Sequence, residues 1–429
     1  MEVGRMRMSL KGGILLLFLF SVYVAPGCTT EMIQTAETTV ENVNEMSSQL
    51  DFTEMIEDAQ GDGWMWEADT KTLRLDGLNL YWDGEDLSGG EVIIVPEDTT
   101  IVLEEGSVNV IQSTVAKKLP SRNMAAISCE GNITFEGTGS LEITGQSRCG
   151  IEASWGNVTI NNGTYILSGI HEYSFDAGGD FVVNQGDVKI ADGSIVFDRD
   201  FIINGGTVTI NERMFLMDRI DGSFILNGGC LECVPTEPRE EEQKRNFQIM
   251  MLDERNSWII NGGELYTTDF YTDGSLTING GYVEIDGDGL SVGYLGQYVQ
   301  SGGTVVIRSD YQGLGNRLST SFDNRDKERF VITGGELQVT TRDQQYGAME
   351  FIAESGIVLE DYIEIGEDMI CEPAEWITID EIDYPFVRQR NTEQYIEEEK
   401  EYQILTLKME RNLQEGQFPG AQTVTIRER

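Results

Sequence analysis

Asn204-Gly205-Gly206-Thr207-Val208-Thr209-Ile210 is the stretch that decides the fold. Its Asn-Gly-Gly corner suits a left-handed backbone conformation, and the residues after it alternate apolar with polar, as in a strand with one buried face. The unit recurs as Asn227-Gly228-Gly229-Cys230-Leu231-Glu232-Cys233, as Asn261-Gly262-Gly263-Glu264-Leu265 and as Asn279-Gly280-Gly281-Tyr282-Val283-Glu284-Ile285, with changes at Gly303 and Gly335. Marked at the second glycine, copies fall at 139, 163, 186, 206, 229, 263, 281, 303 and 335, a period near 22 residues. Weaker copies at Gly77 and Gly106 extend the series toward the amino end.

Each period holds three short apolar runs, such as Val208 and Ile210, then Phe215 to Met217, then Phe224 to Leu226. A helix does not fit between them. Strands this short bury a face only by stacking each repeat on the next. The expected fold is therefore all-β, a single-stranded right-handed parallel β-helix of about eleven coils with terminal caps. At ~4.8 Å per strand the stack would extend on the order of 50 Å.

Strand alternation then sorts inside from outside. Two residues past each marking glycine, Leu141, Tyr165, Val188, Val208, Leu231, Leu265, Val283, Val305 and Leu337 should point inward. Four past it, Ile143, Leu167, Ile190, Ile210, Cys233, Thr267, Ile285, Ile307 and Val339 should do the same. The asparagines at 161, 184, 204, 227, 261 and 279 share one place in the repeat, where side-chain amides can bond along the stack as a structural ladder.

Flanking this repeat, residues 1–27 place Arg5, Arg7 and Lys11 before an apolar run from Ile14 to Ala25, the layout of a secretory signal peptide. Ala25-Pro26-Gly27-Cys28 resembles a bacterial lipobox, so the expectation is export to the cell surface with a lipid anchor at Cys28, or else secretion. Residues 28–60 read as a flexible tether and 61–356 as the β-helix with its amino-terminal cap coil. Residues 357–429 lose the glycine rhythm and read as a carboxy-terminal cap or small β appendage. Trp64, Trp66 and Trp82, near the first coil, are expected to plug the end of the stack.

Composition limits the chemistry. Thirty basic against 74 acidic residues give a net charge of -44, which excludes a nucleic-acid binder working through a basic face. With 40% apolar residues the chain can fill a core, so the acidity belongs to a folded surface. The single histidine, His171, excludes a zinc site built on several imidazoles and reads as a turn residue. Cys230 and Cys233, three apart on a strand, face opposite sides, with Cys233 inward and Cys230 outward. Cys129 and Cys149 align four positions out of register, which argues against a disulfide between them.

Acidic residues give two candidate sites. Asp176, Asp198, Asp218, Asp253 and Asp273 are expected at one corner of consecutive coils, where stacked carboxylates need a counter-charge. Calcium at Asp198, Asp218, Asp253, Asp273, Asp286 and Asp288 is one solution, and pairing with Arg199, Arg219 and Arg255 is the other. Separately, Glu264, Tyr266, Tyr282 and Glu284 should project outward from adjacent coils, where rings can stack on sugar faces and carboxylates can accept hydroxyl hydrogen bonds.

Gly63-Trp64-Met65-Trp66-Glu67, the run Thr70 to Gly77, Ile101-Val102-Leu103 and the serial Ile-Asn-Gly-Gly motif resemble exported bacterial surface proteins with carbohydrate-binding domains. The repeat style is similar to acid-sugar-binding, pectate-lyase-like right-handed β-helix proteins that bind calcium. The resemblance implies a polysaccharide or glycan partner, including uronic-acid-rich polymers, and implies calcium. Asp286-Gly287-Asp288-Gly289-Leu290 matches that family's aspartate-rich turn loosely.

The expected function is non-catalytic glycan binding by a monomer, with membrane contact only through the lipid anchor. One alternative is a polysaccharide lyase or glycoside hydrolase. The sole histidine lies in Gly169-Ile170-His171-Glu172 rather than Gly-His-Gly, and no Arg-x-Pro-x-x-Arg segment occurs. A second alternative is an adhesin or spacer displaying the insertions near Val234–Asn246 and Ser309–Arg329 to a protein partner.

Overall fold

A computed structural model of the chain describes residues 49–82, 91–113, 125–145, 147–211, 214–216, 222–233, 249–251, 255–293, 296–310, 313–318, 330–354, 358–380, 402–409 and 419–429. All fall in one compact unit, Val40–Arg429. The signal peptide, Cys28, most of the tether, Asp218, Asp253 and the core of both insertions lie outside the described residues.

The unit is all-β, and the chain visits three parallel sheets in turn. Cys149–Ala153 belongs to the first, Val158–Ile160 to the second and Thr164–Ser168 to the third; then Tyr173–Ala177, Phe181–Val183 and Asp187–Ile190 repeat the circuit. Each winding pairs in register with the next, as in Tyr165↔Val188↔Val208↔Leu231↔Leu265↔Val283. This order is compatible with the expected β-helix. Two windings depart from three separate strands: Glu264–Thr272 and Tyr282–Val292 run unbroken around the corner between the third sheet and the strands that follow it. A register shift between Thr267 and Asp269 takes up the bend.

The core lies between the sheets. Both inward columns expected of the third sheet are buried throughout. The second sheet adds a column of rings: Phe181 to Phe201 at 5.0 Å, Phe201 to Phe224 at 5.2 Å, and Phe224 to Trp258 at 4.1 Å. Like residues stack here because in-register parallel strands put the same side-chain position of each winding one strand spacing apart.

Two polar columns fix the corners. The asparagine ladder is continuous: Nδ2 of Asn184, Asn204, Asn227, Asn261 and Asn279 each donates to Oδ1 of the asparagine one winding earlier, at 2.8–2.9 Å. Ser301 Oγ extends it to Asn279. At the corner before the second sheet a further column appears. Oδ1 of Asn132, Asn157, Asp180 and Asp200 accepts the backbone N–H of Asn157, Asp180, Asp200 and Ser223 respectively, at 2.8–3.2 Å. These bonds satisfy corner amides that no sheet ladder reaches.

Both ends of the stack carry antiparallel strands. Ala59–Gly61, Trp64–Glu67 and Thr72–Leu75 form a meander at the first edge, where Trp66 is buried against Phe52 at 5.0 Å. At the other end Thr423–Glu428 pairs antiparallel with Glu336–Thr341, and Tyr402–Leu407 with Met349–Glu354. Such strands occupy hydrogen-bonding edges that would otherwise template association.

Candidate functional site

The structure brings Glu264, Tyr266, Tyr282 and Glu284 together on the outer face of the third sheet. Glu264 pairs in register with Tyr282, and Tyr266 with Glu284, so the four form a checker pattern across two windings. The two tyrosine rings lie 5.9 Å apart at 51°. Tyr266 donates its hydroxyl to Glu264 Oε2 at 3.1 Å, and Tyr282 donates to Glu284 Oε2 at 2.5 Å. Burial, followed by the Glu284 hydrogen bond, pushes the Tyr282 phenol up to about 12, so it stays a donor at neutral pH.

Arginines extend this face. Arg308 Nη1 meets Glu284 Oε1 at 2.7 Å and lies 3.8 Å from Asp286 Oδ2. Arg342 bridges Asp286 and Asp310, holding Asp310 Oδ1 at 2.9 Å. Asp286 therefore has guanidinium counter-charge from both later windings, the arginine solution to acidic crowding. Among the described residues no group of three or more His, Cys, Asp or Glu side chains is arranged to hold a metal ion. Much of the face satisfies its own hydrogen bonds. Tyr266 is only 6% exposed, so its ring offers no open surface for stacking, and Tyr282 is half-buried.

The acidic corner differs from expectation. Asp176 lies within a first-sheet strand, opposite Glu152 and Val196, whereas Asp198 follows the end of its strand. The two occupy different register positions because the strand Tyr173–Ala177 carries a bulge between Tyr173 and Phe175. Asp273 lies beyond Thr272 and accepts the Tyr271 hydroxyl at 2.8 Å; Asp288 lies inside the Tyr282–Val292 strand.

Cys233 is in the core as expected. Cys230 holds an outward register position, paired with Thr207 and Glu264, yet it is only 5% exposed and is buried rather than open to solvent. Ala125↔Cys149 and Cys129↔Ala153 confirm the four-position offset, and both thiols are free. His171 is exposed; its neighbour Glu172 pairs with Arg148 at 2.6 Å instead.

Sequence reading passed over Trp155. It is 84% exposed, on the corner between the first and second sheets. The available signal was its setting in Ser154-Trp155-Gly156-Asn157, an indole in a turn rather than at an alternating strand position.

Residues 67–211 match the model of a family described as carbohydrate-binding domain-containing protein, which supports carbohydrate binding. The matched segment includes Trp155 and ends before Glu264. No curated protein matches the chain, and no solved structure does.

Proposed function

We propose that this chain is an exported, non-catalytic carbohydrate-binding protein built on a right-handed parallel β-helix of about eleven coils and anchored through a lipidated Cys28. The single observation carrying the function is the match of residues 67–211 to a carbohydrate-binding family model. In-register windings supply what a polysaccharide binder needs, a rigid surface whose polar groups repeat at ~4.8 Å. On the third sheet, Tyr282 is the member of the aromatic and carboxylate face that a glycan reaches. The charged amino-terminal segment followed by an apolar run supports export.

The test is a glycan array probed with the full chain, alongside incubation with the same polysaccharides and assay for reducing or unsaturated ends. Retention on one or more polysaccharides without product supports the reading. No retention on any of them removes carbohydrate binding, and released product replaces a binder with an enzyme.

A further inference from the structure

We infer that the corner carrying Trp155 is a glycan-binding site that stacks one ring of a neutral polysaccharide on the indole. The inference rests on the carbohydrate-binding reading and adds a location and a ligand class to it. Trp155 lies far from Tyr282 in the winding order and belongs to the matched segment, 67–211.

An indole left 84% exposed forgoes the burial that normally makes tryptophan favourable in a fold, and it is the one aromatic among the large exposed apolar side chains described. Its backbone is nonetheless fixed. Trp155 N–H donates to Glu130 O at 3.0 Å, Ser154 N–H to Cys129 O at 2.9 Å and Gly156 N–H to Ala153 O at 3.3 Å. The ring thus stands on an anchored turn, a preorganised platform.

The neighbouring windings leave room beside it. Counting back from the paired strand starts Val158, Phe181 and Phe201, the position of Trp155 is taken by Gly178 and then by Asp198. Gly178 has no side chain to cover the indole, and a Cβ there would lie 3.0 Å from Trp155 Cα and 2.2 Å from Ser154 O. Gly179 continues this floor. A Cβ on it would meet Asn157 Oδ1 at 2.2 Å and Arg199 Nη2 at 2.9 Å, so a side chain is excluded on this side as well.

Arg199 closes the far edge. Its Nη2 donates to Asn157 Oδ1 at 2.8 Å and its Nε lies 3.5 Å from Asp180 Oδ1, while 63% of the side chain remains exposed. Trp155 and the Asp198-Arg199 edge are two windings apart, about 10 Å. A pyranose fits between them, its CH face on the indole, its hydroxyls donating to Asp198 and accepting from Arg199.

Charge selects among sugars. Glu130, Asp180 and Asp198 surround the one guanidinium, Asp180 already engages it, and the whole chain carries -44. A uronate polymer entering this corner is repelled. A neutral polysaccharide is not.

The experiment is affinity electrophoresis of the full chain through gels containing neutral polysaccharides (a β-glucan, a xylan, a mannan and a galactan) or polygalacturonate. The wild type should be retarded by at least one neutral polymer. Trp155→Ala should weaken that retardation tenfold or more with an unchanged melting temperature, and Trp155→Phe should restore part of it. In parallel, N-bromosuccinimide should oxidise Trp155 in the free protein, located by peptide mass, and the bound polymer should protect it. Retardation by a neutral polymer that survives Trp155→Ala, or retardation by polygalacturonate alone, overturns this site and leaves carbohydrate binding standing. Absence of retardation by every polymer overturns both.

Discussion

Asn204 Nδ2 donates to Asn184 Oδ1 at 2.8 Å, and its own Oδ1 accepts from Asn227 Nδ2 at the same distance. A single amide thus bonds the winding before it and the winding after it, something neither a carboxylate nor a hydroxyl does with the same geometry. Asn204→Ala removes both bonds at an exposed position and should cost about 1–2 kcal/mol in urea unfolding. Asn204→Asp keeps the acceptor but turns a carboxylate oxygen toward Asn184 Oδ1. It should be at least as destabilising at pH 7 and partly relieved below pH ~4, where the carboxyl protonates. Equal stability of Asn204→Asp and wild type at pH 7 would contradict a donating role for Asn204.

The marking glycines separate two costs. Gly206 has φ +75°, and a Cβ on it would lie 2.3 Å from Gly186 O; Gly106 has φ +73° with nothing within 4 Å. Gly106→Ala should therefore show only the left-handed backbone cost, about 1 kcal/mol, whereas Gly206→Ala should exceed it by roughly 1–3 kcal/mol because the neighbouring winding must shift. Matching losses in the two variants would mean that the windings are not in close contact at Gly206.

Stability should depend on pH through Glu350. This side chain is fully buried, its Oε1 accepts from Gly347 N–H at 2.6 Å, and its Oε2 has no partner among the described residues. Burial pushes its carboxyl up to about 7. The folded chain keeps a proton that the unfolded chain releases near pH 4.5, so the stabilising contribution is complete below pH ~4.5 and is lost as pH rises through about 7. Glu350→Gln should remove that slope, gaining on the order of 1–3 kcal/mol relative to wild type between pH 5 and 8. Parallel pH curves for the two proteins would rule out a titrating Glu350.

Arg342 bridges Asp286 and Asp310, but all three side chains are substantially exposed. Arg342→Gln should cost no more than about 1 kcal/mol at low salt, and the difference should shrink toward zero in 1 M NaCl. A larger, salt-independent loss would point to a structural role beyond charge pairing.

The stacking of windings was legible because three signals agreed. The Asn-Gly-Gly corners set the period, strand alternation set the phase, and Val, Ile and Leu at fixed offsets marked the buried columns. Other features were hidden for physical reasons. Asp176 looked equivalent to Asp198 by spacing, but a bulge changes register locally and sequence carries no mark of it. Tyr266 and Cys230 hold outward positions yet are covered, since alternation reports direction and not what packs outside. The Asn132, Asn157, Asp180 and Asp200 column was readable in principle, as a small polar residue before each second-sheet strand, but acid and amide alternate in it and conceal the repeat. Trp155 escaped because a turn obeys no alternation.

Every position above depends on windings stacked in register, and spin-label distances measure that directly. Thr304 shares one column with Thr207 four windings earlier and Thr164 six windings earlier. Nitroxides on Thr207→Cys with Thr304→Cys should be separated by about 19 Å, and on Thr164→Cys with Thr304→Cys by about 29 Å, a growth of ~4.8 Å per winding apart from label width. Distances that fail to lengthen between the two pairs would contradict the stack and every assignment that follows from it.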